Sequence, residues 1–212
     1  DCRMQEEGEV ENELLAAGPH ELDGSWVLYF DGALQGGKRG GANDWAKNMK
    51  RLALIKTVED YWGVVNNIPP PSKLPVGSNY HLFKEGILPM WEDMNNTAGG
   101  KWIYQEKRIG GMSCKGLDNM WLYTMLTLIG ESFSESEQIC GAVCSLRQKQ
   151  DRIAVWTRDA SNEALYKPIG DTFRKSLTEA GGEGAKPISE ANLEYHPHDA
   201  SLQKLGASGK RR

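Results

Sequence analysis

The chain has 212 residues, a charged fraction of 25% and a formal net charge of −4, with a pI near 5.7. This length fits one domain with a sizeable core, and the slightly acidic balance excludes a protein that coats nucleic acid with a uniformly basic surface. Any contact with RNA or DNA must therefore come from a local patch. The four cysteines are too few and too scattered for a disulfide framework, which favours a reducing compartment, and no segment reaches transmembrane length.

The amino-terminal segment is acidic and poor in aromatic residues, so residues 1–19 are predicted to form a flexible tail. Residues 25–30 have the composition of a strand and lead into a Gly-rich loop that carries Trp45. A second strand is predicted over residues 50–56. Trp45 is thus expected on an exposed loop between two strands.

A helix is predicted over residues 58–68, capped by Thr57, with Asp60 completing a capping box. The prolines at 69–71 end it, because proline cannot continue a helix. Turn-forming Gly, Pro and Asn residues then separate segments with the composition of short strands. The predicted strands are residues 80–84, 90–91 and 101–107.

Asp118 is predicted to cap a helix over residues 119–132, whose apolar stripe recurs at the helical period and faces the core. That stripe contains Trp121, Met125, Leu128 and Ile129. The remaining predicted elements are a hairpin over 138–159, a helical region over 162–177 that is interrupted near Pro168, and a strand within 186–196.

Strands outnumber helices and are joined mostly by short loops, which predicts an α+β fold with helices packed on one face of an antiparallel sheet. We expect a single domain over residues 20–205 and a flexible basic tail over 206–212.

Two short motifs resemble metal ligands but are better explained otherwise. Cys140 and Cys144 would share a face of a strand, yet no second Cys/His pair lies nearby, so buried core thiols are predicted. His196 and His198 lack a third ligand and are predicted to lie in a solvated loop. No metal site and no cofactor are expected.

The sequence sets Trp91 directly against Glu92 and Asp93, although carboxylates are rarely buried without a partner. If Trp45 and Trp91 lie parallel, they form a slot that favours a flat, cationic ring. Glu92 beside the slot can accept two hydrogen bonds from the N1–H and N2–H edge of guanine. The alternative is a half-buried Trp91 at a strand end beside a solvated Glu92.

A second candidate site is the turn of the predicted hairpin, where Arg147, Lys149 and Arg152 alternate with Gln and Asp. Residues 147 and 149 are predicted to share a strand face, with Arg152 returning from across the turn, so that three cations can converge on a short phosphate chain. The alternative is a solvated basic turn.

A third candidate is an apolar patch on two helices that could receive an amphipathic helix of a partner. The alternative is a broader contact between the helices. The patch consists of Val58, Trp62, Leu122 and Leu126.

The chain resembles the eukaryotic translation initiation factor 4E family, the messenger-RNA cap-binding proteins. The resemblance runs from about residue 20 to residue 177 through "WVLYF", "TVEDYWG", "LFKEGILPMWED", "GGKW", "LIGESF" and "CGAVCSLRQKQDRIAVWT", together with seven spaced tryptophans. It implies a curved eight-stranded antiparallel sheet with three long helices on its convex face, and no enzyme activity.

The resemblance also implies the role of each site residue. Trp45 and Trp91 sandwich 7-methylguanine, Glu92 binds its Watson–Crick edge, and Trp156 contacts the N7-methyl group. Arg147, Lys149 and Arg152 bind the triphosphate, with Lys101 as an outer contributor. The surface that binds a partner helix consists of His20, Leu22, Val58, Trp62, Leu122 and Leu126.

The implied partners are capped mRNA, a 4G-type scaffold protein and 4E-binding repressor proteins, bound by a monomer in the cytoplasm and also in the nucleus. No membrane partner is expected. Tyr123 departs from the family, in which many members carry an acidic residue facing the partner helix.

Two other functions remain as alternatives. One is a metal-dependent hydrolase of capped nucleotides that uses Glu92 and Asp93, although no larger acidic cluster supports it. The other is a cap-independent interaction protein or translational repressor that acts through the convex-face patch alone.

Overall fold

A computed structural model describes residues 18–32, 48–114, 116–182 and 187–198. These residues form one seven-stranded antiparallel sheet and three α-helices, so the α+β prediction is confirmed. The eighth strand expected from the resemblance is not found in these ranges. The strands are β1 (Glu21–Asp31), β2 (Lys50–Thr57), β3 (Asn79–Lys84), β4 (Gly100–Lys107), β5 (Ile139–Leu146), β6 (Gln150–Thr157) and β7 (Leu193–Pro197), in the spatial order β2-β1-β3-β5-β6-β4-β7.

The helices are α1 (Val58–Val65), α2 (Leu117–Ile129) and α3 (Glu163–Glu179). They pack on one face of the curved sheet, against a large apolar core. Within the described ranges, no helix is long and apolar enough to cross a membrane.

Side chains alternate between the two faces of the sheet along each strand. In β6, Ile153 and Val155 belong to the core beneath the helices, whereas Ala154 and Trp156 belong to a smaller cluster on the opposite face. We call this opposite side the open face; Phe83 and Val143 contribute to the same small cluster.

Helix α1 begins with the predicted capping box. The Thr57 hydroxyl accepts from the Asp60 amide at 3.0 Å, and the Asp60 carboxylate accepts from the Thr57 amide at 3.1 Å. The helix ends at Val65, earlier than predicted, because the Asn67 side chain donates to the Gly63 carbonyl at 2.7 Å and helps to terminate the last turn.

The predicted cap of α2 is wrong. Gly116, in the left-handed region at φ 94°, precedes the helix, and Asp118 lies inside its first turn. The Asp118 carboxylate instead accepts from the amide of Ser72 at 2.8 Å and from its hydroxyl at 2.6 Å. Asp118 therefore ties α2 to the segment that follows the prolines.

The predicted interruption near Pro168 is also wrong, because α3 continues through it. The proline falls in the second turn, where it costs the helix few hydrogen bonds. Ile169, Phe173 and Leu177 are fully buried one turn apart, and this apolar stripe holds the helix on the sheet.

The thiols of Cys140 and Cys144 are buried as predicted. They do not share a face, however: Cys144 joins the helix-side core and Cys140 joins the open-face cluster. The register of β5 against β6 shifts between Ile139 and Gly141, and such a bulge inverts the alternation.

The backbone of α3 lies close to the sheet at Gly170. A Cβ atom added there would lie 2.5 Å from the Trp102 ring. We predict that Gly170→Ala lowers the free energy of unfolding by about 1–3 kcal/mol, because the helix must move away from the indole. Urea unfolding measures this change.

Gly63→Ala in α1 is the matched control, since its Cβ would meet nothing within 4 Å. We expect it to be neutral or to stabilise by about 0.5–1 kcal/mol, as alanine is the better helix former. Equal effects of the two substitutions would contradict the close packing at Gly170.

Candidate ligand-binding face

The open face brings an aromatic ring and two cations together. Lys101 lies opposite Trp156 in the β4–β6 register, and its Nζ is 5.2 Å from the centroid of the Trp156 ring. Arg152 lies on the same strand as Trp156, four residues before it and therefore on the same face, and is exposed. Burial, and then repulsion by Arg152, lowers the pKa of Lys101. Cationic groups thus lie beside an indole that is only 8% exposed.

The Trp156 ring is fixed by its neighbours. It meets the Phe83 ring edge-on, with 5.5 Å between centroids, and the His198 ring at 4.3 Å. These contacts hold the indole in one orientation at the floor of the open face.

Residues 90–91, predicted as a strand, instead form part of a turn-rich loop between β3 and β4. Two polar side chains organise this loop. The Asp93 carboxylate accepts from the Leu88 and Asn95 amides at 2.9 Å each, and the Asn96 side chain donates to the Leu88 and Met90 carbonyls at 2.8 and 2.7 Å. Because backbone groups pair with side chains, the segment has no need of a neighbouring strand.

The loop explains the unusual sequence around Trp91. Asp93 is structural: although burial alone raises its pKa, the hydrogen bonds from Leu88 and Asn95 lower it below the usual value overall. Glu92 is exposed and Trp91 is half-buried. An indole and a carboxylate are therefore presented side by side on a loop that other residues hold in shape.

The basic turn is arranged differently from the prediction. Strand β5 ends at Leu146, so residues 147–149 lie in the turn and not on one strand face. Arg147 is half-buried and donates to the side-chain oxygen of Asn79 at 2.8 Å and to the Leu146 carbonyl at 2.9 Å. Lys149 and Arg152 are exposed.

His198, predicted to lie in a solvated loop, is fully buried. Its amide donates to the Gly99 carbonyl at 2.9 Å, which extends the pairing of β7 with β4 by one residue. Among the described residues, neither ring nitrogen has a hydrogen-bond partner, and burial, with the nearby Lys101, lowers the pKa of His198 to about 4. The ring is therefore neutral at physiological pH.

Sequence reasoning missed His198 because nothing local indicates its burial. The only signal was the two-residue spacing of His196 and His198, which also fits a loop. His196 is partly exposed and lies 2.9 Å from Glu194.

The predicted partner surface lies away from the open face. The His20 carbonyl accepts from the Val58 amide at 2.9 Å, and the His20 ring pairs with Glu59 at 2.7 Å, which joins the start of β1 to α1. Val58 and Trp62 are 38% and 40% exposed. Three other residues of this surface, Leu22, Leu122 and Leu126, are partly buried against the core.

Trp45, predicted as one wall of the aromatic slot, lies outside the described residues. Within those residues, no cluster of three His, Cys, Asp or Glu side chains could hold a metal ion.

The chain is thus an α+β protein whose antiparallel sheet carries helices on one face and aromatic and cationic side chains on the other. Residues 21–212 match the family model of eukaryotic initiation factor 4E. The chain is 36% identical over 198 residues to isoform 4E of Nicotiana tabacum, covering 93% of this chain and 90% of the relative. It is 42% identical over 176 residues to factor 4E-1 of Zea mays, covering 82% and 77%.

Solved structures give the same result. The complex of C. elegans eIF4E-3 with the 4E-binding protein Mextli and a cap analog superimposes with a TM-score of 0.74 and 34% identity, covering 87% of this chain and 96% of that one. Ascaris suum eIF4E-3 with an m2,2,7G cap gives 0.73 and 35%, covering 85% and 92%. The chain belongs to the eukaryotic translation initiation factor 4E family.

The burial of His198 predicts a pH-dependent stability. The folded-state pKa lies below the unfolded value of 6.5, so the unfolded chain binds a proton more readily and stability falls as the pH drops from about 6.5 towards 4. Between pH 7 and pH 5 this group alone should lower the free energy of unfolding by about 2 kcal/mol. Urea unfolding at both pH values measures the loss.

His198→Phe is the comparison, since it keeps a ring against Trp156 but cannot be protonated. We expect this variant to lose about 2 kcal/mol less than the wild type between the two pH values. An identical pH dependence in both proteins would show that His198 is not buried in its neutral form.

Proposed function

We propose that the chain binds the 7-methylguanosine cap of mRNA on its open face and, through α1 and α2, a helix shared by 4G-type scaffolds and 4E-binding repressors. The observation that carries this proposal is the grouping of Trp156, Lys101 and Arg152 on one face of the sheet. Solved relatives support it, because C. elegans eIF4E-3 is bound to a cap analog and Ascaris suum eIF4E-3 to m7G and m2,2,7G caps.

The base-binding part of the proposal depends on the positive charge of 7-methylguanine. Trp91 stacks on one side of the base, with Trp45 as the second wall, and Trp156 contacts the methyl group. A cation over an indole gains roughly 2 kcal/mol or more when both are desolvated. Unmethylated guanine lacks this charge, so the slot selects the methylated base.

Glu92 supplies the selection for guanine. Its carboxylate, exposed beside Trp91, can accept both hydrogen bonds of the N1–H and N2–H edge and also offset the positive charge of the base. Adenine presents no such pair of donors, so it is rejected.

The phosphate chain is proposed to extend along the open face towards Arg147, Lys149 and Arg152, with Lys101 nearer the base. Contacts of this kind are electrostatic and weaken with salt. We therefore infer that affinity falls with salt more steeply for 7-methyl-GTP than for 7-methylguanosine.

The partner surface is proposed to be His20, Leu22, Val58, Trp62, Leu122 and Leu126. The exposed indole of Trp62 offers the apolar area that anchors a docked helix. C. elegans eIF4E-3, whose fold this chain shares, is bound by the 4E-binding protein Mextli. Together the two surfaces would connect capped mRNA with a scaffold, as a monomeric binding protein of the cytoplasm and nucleus.

The slot is tested by titrating the tryptophan fluorescence of the protein with 7-methyl-GTP and, as a control, GTP. We predict that Trp91→Leu weakens 7-methyl-GTP binding about 30-fold or more, because one ring of the slot is lost. Met94→Ala, in the same loop at a residue that is 91% exposed, should bind as the wild type does. Tight binding by Trp91→Leu would rule out the slot.

The independence of the two surfaces is tested with a peptide from a 4G-type scaffold. Trp62→Ala should weaken peptide binding about tenfold or more, as expected for loss of a central aromatic anchor, and leave 7-methyl-GTP affinity unchanged. Trp91→Leu should show the reverse pattern. Peptide binding without any preference for the methylated nucleotide would favour the cap-independent interaction protein.

A further inference from the structure

A series of hydrogen-bonded polar side chains begins on β1 and ends at Arg147, in the turn after β5. His81 Nε2 lies 2.5 Å from Asp31 Oδ1, the Asn79 side-chain nitrogen donates to Asp31 Oδ2 at 2.8 Å, and Asn79 Oδ1 accepts from Arg147 Nη2 at 2.8 Å. Asp31, Asn79 and His81 are 4%, 6% and 4% exposed. Four side chains from β1, β3 and the turn after β5 are thus joined in one hydrogen-bonded series.

The series lies beside the proposed phosphate site. Asp31 pairs with Asn79 in the β1–β3 register, Asn79 pairs with Ser145 of β5, and Ser145 pairs with Arg152 of β6. Neighbouring strands are about 4.8 Å apart, so Asn79 and Arg152 lie roughly 10 Å from each other across β5.

The orientation of the Asn79 side-chain amide determines whether its oxygen or its nitrogen faces the Arg147 guanidinium. Arg147 can only donate hydrogen bonds, so it needs the oxygen of Asn79 and is repelled by the nitrogen. An isolated asparagine amide has little preference between its two orientations. Asp31 removes the choice, because an ionised carboxylate accepts and therefore fixes the Asn79 nitrogen on its own side.

His81 has a matching role towards Asp31. Because a carboxylate is an acceptor, the contact requires a proton on His81 Nε2. A buried carboxylate is costly unless hydrogen-bonded, and His81 and Asn79 together satisfy both of its oxygens. The carboxylate thus has a defined position from which to orient the amide.

We propose that Asp31, held by His81, is a positioning residue for phosphate binding: it orients Asn79 so that the amide oxygen holds the Arg147 guanidinium at the phosphate chain of the ligand. This inference rests on the proposed function of Arg147. An arginine held in place loses little side-chain entropy when it binds, so the effect appears in the affinity added by the phosphates.

The test compares 7-methyl-GTP with the nucleoside 7-methylguanosine, and the quantity measured is the ratio of their affinities. Arg147→Ala defines how much of this ratio Arg147 supplies. Asn79→Leu, of similar size but unable to hydrogen-bond, should lower the ratio about tenfold and leave the nucleoside affinity within about twofold of the wild type, since only a charge-assisted contact is lost.

Exchanging the side chains at positions 31 and 79 distinguishes a loss of positioning from general destabilisation of the fold. Asn79→Asp alone sets two carboxylates against each other and should lower the ratio. Adding Asp31→Asn puts a donor amide at position 31, facing a carboxylate at position 79 that again accepts from Arg147. We expect the double variant to recover the ratio to within about threefold of the wild type, with a thermal midpoint close to it.

A wild-type ratio in Asn79→Leu, alongside a lowered ratio in Arg147→Ala, would overturn the positioning role and leave the proposed function intact. So would a folded double variant that fails to recover. If Arg147→Ala also keeps the full ratio, Arg147 does not bind phosphate and the inference falls with it. Failure of the proposed function itself is separate, since the wild type would then not prefer 7-methyl-GTP to GTP.

Discussion

The two-residue alternation of the strands is the constraint on which the rest of the molecule depends. Because α1, α2 and α3 cover one face of the sheet, every second side chain of a central strand enters the main core. The intervening side chains are left on the open face, where they can differ in chemistry without disturbing that core. Trp156 and Arg152 lie there, while Ile153 and Val155 beside them serve only packing.

Side-chain hydrogen bonds stabilise the loop between β3 and β4, which no strand pairing stabilises. The loop between β3 and β4 has no ladder of its own, and Asp93 and Asn96 satisfy its backbone groups instead. The need to pair these backbone groups explains why acidic and amide residues follow Trp91 in the sequence. Asp93 and Asn96 hold the loop, and Glu92 remains exposed.

Sequence patterns predicted the fold class, the seven described strands and the three helices, because hydrophobic periodicity and helix caps such as Thr57 are local signals. They failed at Asp118 and Pro168, where tertiary contacts override a local preference. Sequence patterns predict a strand at residues 90–91 because the hydrogen bonds of Asp93 and Asn96, which shape this loop, leave no periodic signal. The roles of His198 and of Asp31, Asn79 and His81 depend on which strands are neighbours. Spacing along the chain does not reveal that pairing.

The bulge at Gly141 affects how the chain tolerates changes in length. Strands β4 and β6 pair without a break from Gly100 to Lys107, so one residue inserted within β6 would exchange its two faces and carry Trp156 into the helix-side core. Strand β5 already contains such a shift between Ile139 and Gly141. Strand β5 thus already accommodates one extra residue near its start, whereas β6 must keep its length for Trp156 to stay on the open face.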